Sequence, residues 1–514
     1  MKIKLLCIAV LSLMILLSSC EGADIDGQDI DTTSETADTS SQGDSEVADE
    51  SETTEDSETT EESETTAHSH TPSAPVKENE IKQTCQKGGE YDKVVYCEEC
   101  DEEISRETKI TGKISHNYKN GKCEYCGKDK PSEGLKFTSY GNGTCAVSGI
   151  GSCEDEDIII PDTSPRGDRV VAIASSAFYN CIGLWSVSIP DTVTSIGDNA
   201  FIFCANLEKV TLPDNLSYFG SSVFGDCSYL QCNIENGLGY LGSAKNPYLV
   251  LLRAKDKTKT EYETNPRTVF VSSGAFSSCD NATNIVITDS VKHIGSNAFQ
   301  RCDELKTVTL SKNITVIEDG LFRSCQKLET VNIPSGVQRI GKFAFEFCNS
   351  LKKIDLPDGL SSIGEYAFNF CTSLTEVEIP NSVTSIMMCA FENCSSLESV
   401  TMPNSISVIP NGMFRNCEKL KNITIPSSVT EIGKVSFENC KMIERIIIPA
   451  NVRTIGYDAF KNCIGLKGVK FEVTKGWVCY EVKVPVIADF DLTDEAENAI
   501  YLSWQHNDLK WKRT

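Results

Sequence analysis

Histidine is scarce in this chain, with 5 among 514 residues, and tryptophan is scarcer, with 4. Histidine is the commonest general base and the commonest metal ligand. No metal-binding His pair, phosphate-binding glycine loop or nucleophile motif accompanies these five. Basic residues are also few, 48 against 74 acidic ones. The sequence therefore argues against an enzyme and against nucleic-acid binding through a basic face.

The first twenty residues predict export. Two lysines precede an apolar run from residue 5 to residue 17, which is too short for a comfortable membrane-spanning helix and is typical of a signal peptide. Residues 17–20, Leu-Ser-Ser-Cys, resemble the bacterial lipobox, so Cys20 is the expected lipidation site and the chain's only attachment to the membrane. A plain secretory peptide is the alternative, although no Ala-x-Ala site competes.

Residues 21–77 are acidic and repetitive. From Glu21 to Val76 there are 18 Asp and Glu and no Lys or Arg, and Ser-Glu-Thr-Thr begins at Ser51, Ser57 and Ser63. Such a segment has too little apolar surface to offset the entropy of ordering its chain, and its like charges repel. We expect a disordered, extended tether.

A small cysteine-rich module is predicted over residues 78–131. Cys97 and Cys100 form one Cys-x-x-Cys turn, and Cys123 and Cys126 form a second after a 22-residue spacer. Two such turns at this spacing resemble a zinc ribbon, in which four thiolates bind one structural Zn²⁺. A segment of this length builds little core, so a metal or disulfide staple is expected.

Other interpretations of this module stay open. In an exported chain the four thiols could pair as disulfides and leave Cys85 over, although the paired spacing favours zinc. A thioredoxin-like role for the first turn is disfavoured because no βαβ pattern surrounds it. His116 is a conceivable ligand, but a lone loop histidine is more often solvated. Since no open metal position can be argued, the zinc would be structural.

A 23-residue repeat dominates the rest of the chain. Twelve cysteines mark it, and a phenylalanine stands three residues before each of them. The step from Cys227 to Cys279 is six residues longer than two repeats, so an insertion is expected near residues 232–268. The twelve positions are Cys181, Cys204, Cys227, Cys279, Cys302, Cys325, Cys348, Cys371, Cys394, Cys417, Cys440 and Cys463.

The repeat predicts stacked coils. Its Leu-x-x-Val-x-Ile-Pro segment, as in residues 374–380, alternates apolar and polar residues, which favours a short strand that ends near the proline. One unit cannot bury its apolar residues alone, whereas copies stacked in register can. We predict a β-rich solenoid of 23-residue coils with a parallel sheet over residues 135–475, and a C-terminal cap over residues 476–514.

One column of the repeat is rich in glycine. Gly341 and Gly364 are examples, and they suggest a turn with positive φ. Pro410 stands in the same column and cannot adopt that conformation. The column therefore indicates a tight turn without demanding left-handed backbone.

The whole unit, Ile-Pro-x-x-Val-x-x-Ile-Gly-x-x-Ala-Phe-x-x-Cys-x-x-Leu, resembles the BspA-like, Treponema-type leucine-rich-repeat family over about residues 135–514. The flanks at residues 134–161 and 477–513 resemble caps of that family. The resemblance implies a leucine-rich-repeat solenoid on a bacterial cell surface, with a role in adhesion. The implied partner is an extracellular protein or glycan.

The cysteine column is predicted to be structural. Side chains of coils in register point the same way, so disulfides between coils would need distortion. A buried cysteine is also a good small apolar residue with a weak donor. A ladder of reduced thiols is therefore favoured, and Cys389, which falls in a polar column, is expected to be more exposed.

Two polar columns flank the central Val or Ile of each predicted strand and form the candidate binding face. Its acidic centre has few aromatic side chains around it, and a merely solvated sheet face is an equal alternative. The candidate positions are Asn332, Lys353, Asp355, Glu376, Glu378, Thr401, Asn422 and Arg445.

Three functions compete. The leading hypothesis is a cell-surface binding or adhesion module that is anchored through Cys20 and recognises an extracellular protein or glycan. The alternative is a structural spacer or envelope scaffold that binds nothing. An enzyme with its site in the insertion at residues 232–268 is the weakest hypothesis, since no catalytic motif supports it.

Overall fold

The computed structural model describes residues 69–84, 87–112, 114, 116–481, 484–488, 492–505 and 507–513. The predicted signal peptide, Cys20, Cys85 and most of the predicted tether lie outside these residues. The described residues divide into two compact units: those up to Pro75 with Val95–Ser105 form one, and Val76–Val94 with those from Arg106 onward form the other. Within the described part of the chain, no helix has the length and apolarity to cross a bilayer.

Stacked coils confirm the predicted solenoid. The Leu-x-x-Val-x-Ile segments form parallel strands that we call sheet A. Residue i pairs with residue i+23 in the regular coils, as Glu376 does with Ser399, whereas the first pair, Asp157 with Ser186, is offset by 29 residues. Isolated bridges Asn332–Asp355 and Lys353–Glu376 continue the pairing through one coil. The strands of sheet A are Asp157–Ile159, Ser186–Ser188, Lys209–Thr211, Glu261–Glu263, Asn284–Val286, Thr307–Thr309, Thr330–Val331, Glu376–Glu378, Ser399–Thr401, Asn422–Ile423, Arg445–Ile448 and Gly468–Phe471.

A second strand in each coil was not predicted. The Val-x-x-Ile segment after the proline forms sheet B, which is also parallel with the same register, as in Ser362 with Ser385. Most of these strands have only two residues, too few for an alternation to show in the sequence. The strands of sheet B are Arg169–Ile173, Ser195–Ile196, Tyr218–Phe219, Val250–Ala254, Phe270–Val271, His293–Ile294, Val316–Ile317, Arg339–Ile340, Ser362–Ile363, Ser385–Ile386, Val408–Ile409, Glu431–Ile432 and Thr454–Ile455.

The Phe-x-x-Cys segment makes a third ladder between coils. Residues one and five positions before each coil cysteine have positive φ, for example Asn439 at 62° and Val435 at 50°. Their amides, and that of the phenylalanine between them, donate to carbonyls of the next coil, as Phe437 does to Ala459 over 2.8 Å. Asn tolerates this backbone conformation well, whereas a β-branched residue such as Val435 is strained in it.

The glycine column has a different cause from these turns. Gly341 and Gly364 are absent from the residues with positive φ. A Cβ on Gly341 would lie 2.6 Å from the Asp319 nitrogen, and one on Gly364 would lie 2.6 Å from the Gly341 carbonyl carbon. These glycines therefore do not adopt left-handed backbone, in agreement with Pro410 in the same column, and the close approach of the preceding coil explains them.

The coil core consists of the phenylalanine and cysteine columns. Phe345, Phe368 and Phe391 are buried and stack in sequence with ring centroids 5.1 Å apart. The thiol of Cys371 donates to the carbonyl of Phe345 over 3.2 Å. None of the twelve coil cysteines forms a disulfide, and all except the half-buried Cys181 are buried, so the predicted ladder of reduced thiols is confirmed.

The inserted segment is a three-stranded meander. Asn233–Glu235 pairs antiparallel with Leu238–Leu241, which pairs antiparallel with Val250–Ala254. The last strand then pairs parallel with Phe270–Val271 and so rejoins sheet B. Contacts of Phe219 with both Phe224 and Phe270 connect the core across the insertion.

Both ends of the coil stack are closed by antiparallel strands. At the first coil, Lys136–Ser139 pairs antiparallel with Thr144–Gly149, which lies beside Arg169–Ile173. At the last coil, buried Trp511 pairs with Ile455 of sheet B. This C-terminal cap contains strands Trp477–Glu481, Val484–Ala488 and Lys510–Arg513, an α-helix Glu495–Ile500 and a π-helical turn Tyr501–Gln505.

The module before the solenoid is built from short antiparallel strands. Its first strand begins at Val76, and Pro72 bridges to Cys97, so folded structure starts inside the predicted tether. Of its described hydrophobic residues, only Val94, Cys97 and Cys123 are buried. Its strands are Val76–Ile81, Gly89–Tyr96, Glu103–Thr111, Tyr118–Lys119 and Lys122–Cys123.

Loss of one core ring tests the stacking. Phe368→Ala empties a site shared by three coils, and we expect it to lower the free energy of unfolding by about 3–5 kcal/mol, measured by denaturant titration. The half-buried Cys389, which lies outside the coil column, provides the control, since Cys389→Ala should cost less than about 0.5 kcal/mol. Equal stabilities of the two variants would contradict the assignment of the core.

Candidate functional site

The eight candidate positions all lie on sheet A with exposed side chains. Alternation along each strand explains this placement, because Val377 is 3% exposed while Glu376 and Glu378 on either side of it point outward. The parallel pairing then sets equivalent residues of successive coils beside one another, as with Glu378 and Thr401. The face that the sequence indicated is thus one continuous polar surface.

Five of these positions line or border a groove of about 690 Å³ in the middle of sheet A. Its walls include Lys353, Asp355, Glu376, Glu378 and Thr401 from the strands. The turns after the strands add further polar groups, namely Asp358, Asn381, Ser382 and Asn404.

The groove carries more negative than positive charge. Lys353 is its one cation, and its amine lies 3.0 Å from the Asp355 carboxylate. The hydrogen bond to the Asp355 carboxylate raises the pKa of the Lys353 amine. Lys353 also interacts electrostatically with Glu376, so the lining holds this one cation against the four carboxylates of Asp355, Asp358, Glu376 and Glu378. The groove is therefore suited to a positively charged partner group.

Arg445 differs from the other candidate positions. Its guanidinium donates to the Glu495 carboxylate of the C-terminal cap over 2.9 Å. Sequence spacing could not show this contact, because the two residues are 50 positions apart and belong to different elements. Arg445 therefore serves at least in part to hold the cap against the last coils.

A buried polar column lies outside sheet A, two positions before the coil cysteines. Arg415 contacts Glu392 at 3.5 Å and Glu438 at 2.7 Å, and so joins three successive coils. Burial raises the pKa of Glu392, and burial also raises the pKa of the neighbouring Cys389 to about 12. Cys389 is half-buried, and so it is more exposed than the buried cysteines of the coil column. This column connects successive coils, and its arginine remains partly exposed.

The two Cys-x-x-Cys turns of the module have the same backbone structure. We call residues 97–102 and 123–128 the first and second knuckle. The first cysteine of each, Cys97 or Cys123, donates its amide to the carbonyl five residues later over 2.8 Å. The residue four positions after it, Asp101 or Gly127, has positive φ and donates to the cysteine carbonyl over 3.0 Å or 2.8 Å respectively.

Each knuckle has a histidine beside it. The Cys100 sulfur is 3.5 Å from the Nδ1 atom of His70, and the Cys126 sulfur is 3.5 Å from the Nδ1 atom of His116. In each set of one histidine and two cysteines, the ligand atoms lie within 4.8 Å of one another. These two sets are groups that could hold a metal ion.

The surroundings of the second knuckle favour a thiolate. Burial acts to raise the pKa of Cys123, but hydrogen bonds from His116 and from the Tyr125 and Cys126 amides outweigh it and lower the pKa to about 6. In the first knuckle, a hydrogen bond with Cys97 raises the pKa of His70. Thiolate and imidazole groups are the ligands that zinc prefers in proteins.

This grouping differs from the single four-sulfur site that the spacing predicted. The ligand atoms of Cys97 and Cys100 group with His70, and those of Cys123 and Cys126 group with His116. Sequence reasoning placed His70 in the tether and gave His116 only as a conceivable ligand, since a lone loop histidine is more often solvated. The available signal was that His116 precedes the second knuckle by only seven residues.

The repeated coils of this chain are similar to those of a known protein family. A family model described as the BspA type leucine rich repeat region matches in six copies, over residues 157–245, 269–395 and 338–467. Together these ranges span more than half of the chain. No curated protein matches.

Solved structures of bacterial repeat proteins are also similar. A leucine-rich repeat protein from Bacteroides ovatus is 25% identical, with 66% of this chain and 94% of that chain covered and a TM-score of 0.33. A leucine rich cell surface protein from Faecalibacterium prausnitzii is 25% identical, with 67% and 94% covered and a TM-score of 0.28. The T. pallidum leucine-rich repeat protein is 26% identical, with 44% and 92% covered and a TM-score of 0.28. From the extent of the family match, this chain belongs to the BspA-type leucine-rich-repeat family.

Proposed function

We propose that this chain is a cell-surface binding module that recognises an extracellular protein through the groove on sheet A. The observation that carries the proposal is the concentration of Asp358, Glu376 and Glu378 around a concave part of a regular polar surface. Membership of a repeat family with surface roles supports it, because such arrays bind through their extended exposed surfaces. The favoured partner is a protein segment with lysine or arginine side chains.

The rigidity of the coils supports this role. The groove side chains of Glu376 and Glu378 project from a strand whose backbone pairs with the next coil on one side and bridges the previous coil on the other. A partner therefore meets charges whose positions are already fixed, which lowers the entropic cost of binding. Long-range attraction to a basic segment would also speed association at low ionic strength.

A protein ligand fits this face better than a glycan does. Sugar-binding surfaces rely on aromatic rings against which the pyranose stacks. None of the sixteen residues that line the groove is aromatic. The exposed positions on either side are mostly Ser, Thr and Asn, which contribute hydrogen bonds and little apolar contact area. Binding by one chain would be modest, and several anchored copies would add avidity.

Charge removal in the groove tests the proposal. The full-length chain is applied to cultured cells and to an array of extracellular-matrix proteins and glycans, and saturable binding is measured. Glu376→Gln with Glu378→Gln should weaken binding on the order of tenfold, and added salt should weaken wild-type binding. The matched control is Glu304→Gln with Glu418→Gln, because these carboxylates pair with Lys327 and Lys441 outside the groove.

Two outcomes would contradict the proposal. An absence of saturable attachment would favour the structural spacer. Equal binding by the groove variant and the control variant would place recognition on another surface. Binding confined to glycans of the array would retain the adhesive role but overturn the protein ligand.

We also propose that the chain is exported and held at the membrane by lipid on Cys20. The Leu-Ser-Ser-Cys sequence after the apolar run supports this, together with the acidic segment that would extend the folded part away from the envelope. Diacyl attachment would make the anchor stable.

Fatty-acid labelling tests the anchor. Cells that express the full-length chain are fed labelled palmitate, and the label should enter the wild type and be lost in Cys20→Ala. Cys7→Ala, which changes a cysteine within the apolar run, serves as the control and should keep the label. Retention of the label in Cys20→Ala would show that this cysteine is not the anchor.

A further inference from the structure

We propose that the module binds two zinc ions, one at each knuckle, with His70, Cys97 and Cys100 as ligands of the first and His116, Cys123 and Cys126 as ligands of the second. This goes beyond the proposed adhesive function and does not depend on it. It is supported by the repeated turn, the ligand spacing, a carboxylate behind one histidine and the small core of the module.

The repeated turn is the first argument. Both knuckles use the same pair of backbone hydrogen bonds and the same positive φ four residues after the first cysteine, at 57° for Asp101 and 71° for Gly127. A turn of this kind points two sulfurs at one place, as in known zinc knuckles. Since the turn is present in each knuckle separately, each knuckle presents two sulfurs to an ion of its own.

The ligand spacing is the second argument. In a tetrahedral site with Zn–S of about 2.3 Å and Zn–N of about 2.1 Å, neighbouring ligand atoms stand about 3.6 Å apart. The sulfur-to-Nδ1 distance is 3.5 Å in both knuckles. The remaining ligand atoms lie within 4.8 Å of one another, so small side-chain rotations would bring three of the four tetrahedral ligands into place, and a water molecule would be the fourth. Two sulfurs and one imidazole nitrogen select zinc over the hard cations Ca²⁺ and Mg²⁺.

The surroundings of His70 are the third argument. Its Nδ1 atom faces Cys100, while its Nε2 atom lies 3.5 Å from a Glu102 carboxylate oxygen. A carboxylate on the far nitrogen fixes the tautomer and orientation of a metal-binding histidine. Glu102 is thus a positioning residue for the first site. His116 is oriented differently, by stacking on Tyr118 with ring centroids 5.5 Å apart.

The small core is the fourth argument. Among the described hydrophobic residues of the module, two of the three that are buried are knuckle cysteines, Cys97 and Cys123. Burial of so few side chains cannot offset the entropy of ordering the segment. A metal ion at each knuckle supplies the missing stabilisation, because binding to deprotonated ligands is coupled to folding.

Metal stoichiometry is the decisive test. The full-length chain is purified under reducing conditions, loaded with Zn²⁺ and desalted, and zinc per chain is measured by mass spectrometry. We expect two ions in the wild type, one in Cys97→Ser with Cys100→Ser, and one in Cys123→Ser with Cys126→Ser. Cys389→Ser is the control and should keep two. One ion in the wild type and none in either double variant would show a single shared site and overturn the proposal.

Two further measurements keep the test independent of variant folding. Substitution of Co²⁺ into the wild type should give a thiolate-to-metal absorption that corresponds to two sulfurs per ion, whereas four sulfurs per ion would show a shared site. Glu102→Gln should weaken zinc binding at the first knuckle on the order of tenfold in a chelator competition, while Glu99→Gln should not. No bound zinc, with both cysteine pairs oxidised to disulfides after anaerobic purification, would also overturn the proposal.

Discussion

The structure depends on keeping successive coils in a 23-residue register. In each coil the carbonyl of the core phenylalanine helps to fix this register through two hydrogen bonds. The Phe345 oxygen accepts the amide of Cys348 in its own coil over 3.1 Å and the thiol of Cys371 in the next coil over 3.2 Å. The rings of Phe345 and Phe368 stack between the same two coils. A coil longer or shorter by one residue would move both the thiol and the ring away from their partners. The repeated cysteine is therefore a hydrogen-bond donor at a fixed place, which serine would fill with a shorter and more strongly hydrated group.

Because contacts between coils are made by the backbone and the core, the exposed side chains are not needed to hold the coils together. Backbone amides and carbonyls of the coils are satisfied by neighbouring coils in sheet A, in sheet B and along the Phe-x-x-Cys segment. Exposed positions such as Glu376 and Glu378 take no part in that pairing through their side chains, so they can vary without loss of the fold. The exposed side chains can thus differ between coils, while the core stays the same from coil to coil. The module that contains the knuckles differs from the coils, because it has almost no hydrophobic core.

The sequence predicted what repetition makes visible, and it missed what depends on contacts between distant residues. Stacking, sheet A and its exposed columns followed from twelve cysteines spaced by 23 residues on either side of the insertion, and from alternation such as that of residues 374–380. Sheet B was missed because a two-residue strand such as Ser362–Ile363 carries no alternation. The contact of Arg445 with Glu495 and the pairing of His70 with Cys100 join residues 50 and 30 positions apart, and spacing within one motif cannot show either.

The central claim, that coils are held by register, is tested most directly by comparing two deletions. Removal of residues 372–394 excises one whole repeat and leaves every remaining coil in register, whereas removal of residues 372–383 leaves half a coil. Thermal unfolding followed by circular dichroism should show that the whole-repeat deletion keeps one cooperative transition within about 5 °C of the wild type, since nearest-neighbour contacts are restored. The half-repeat deletion should lose stability far beyond that. Equal stabilities of the two deletions would contradict the account.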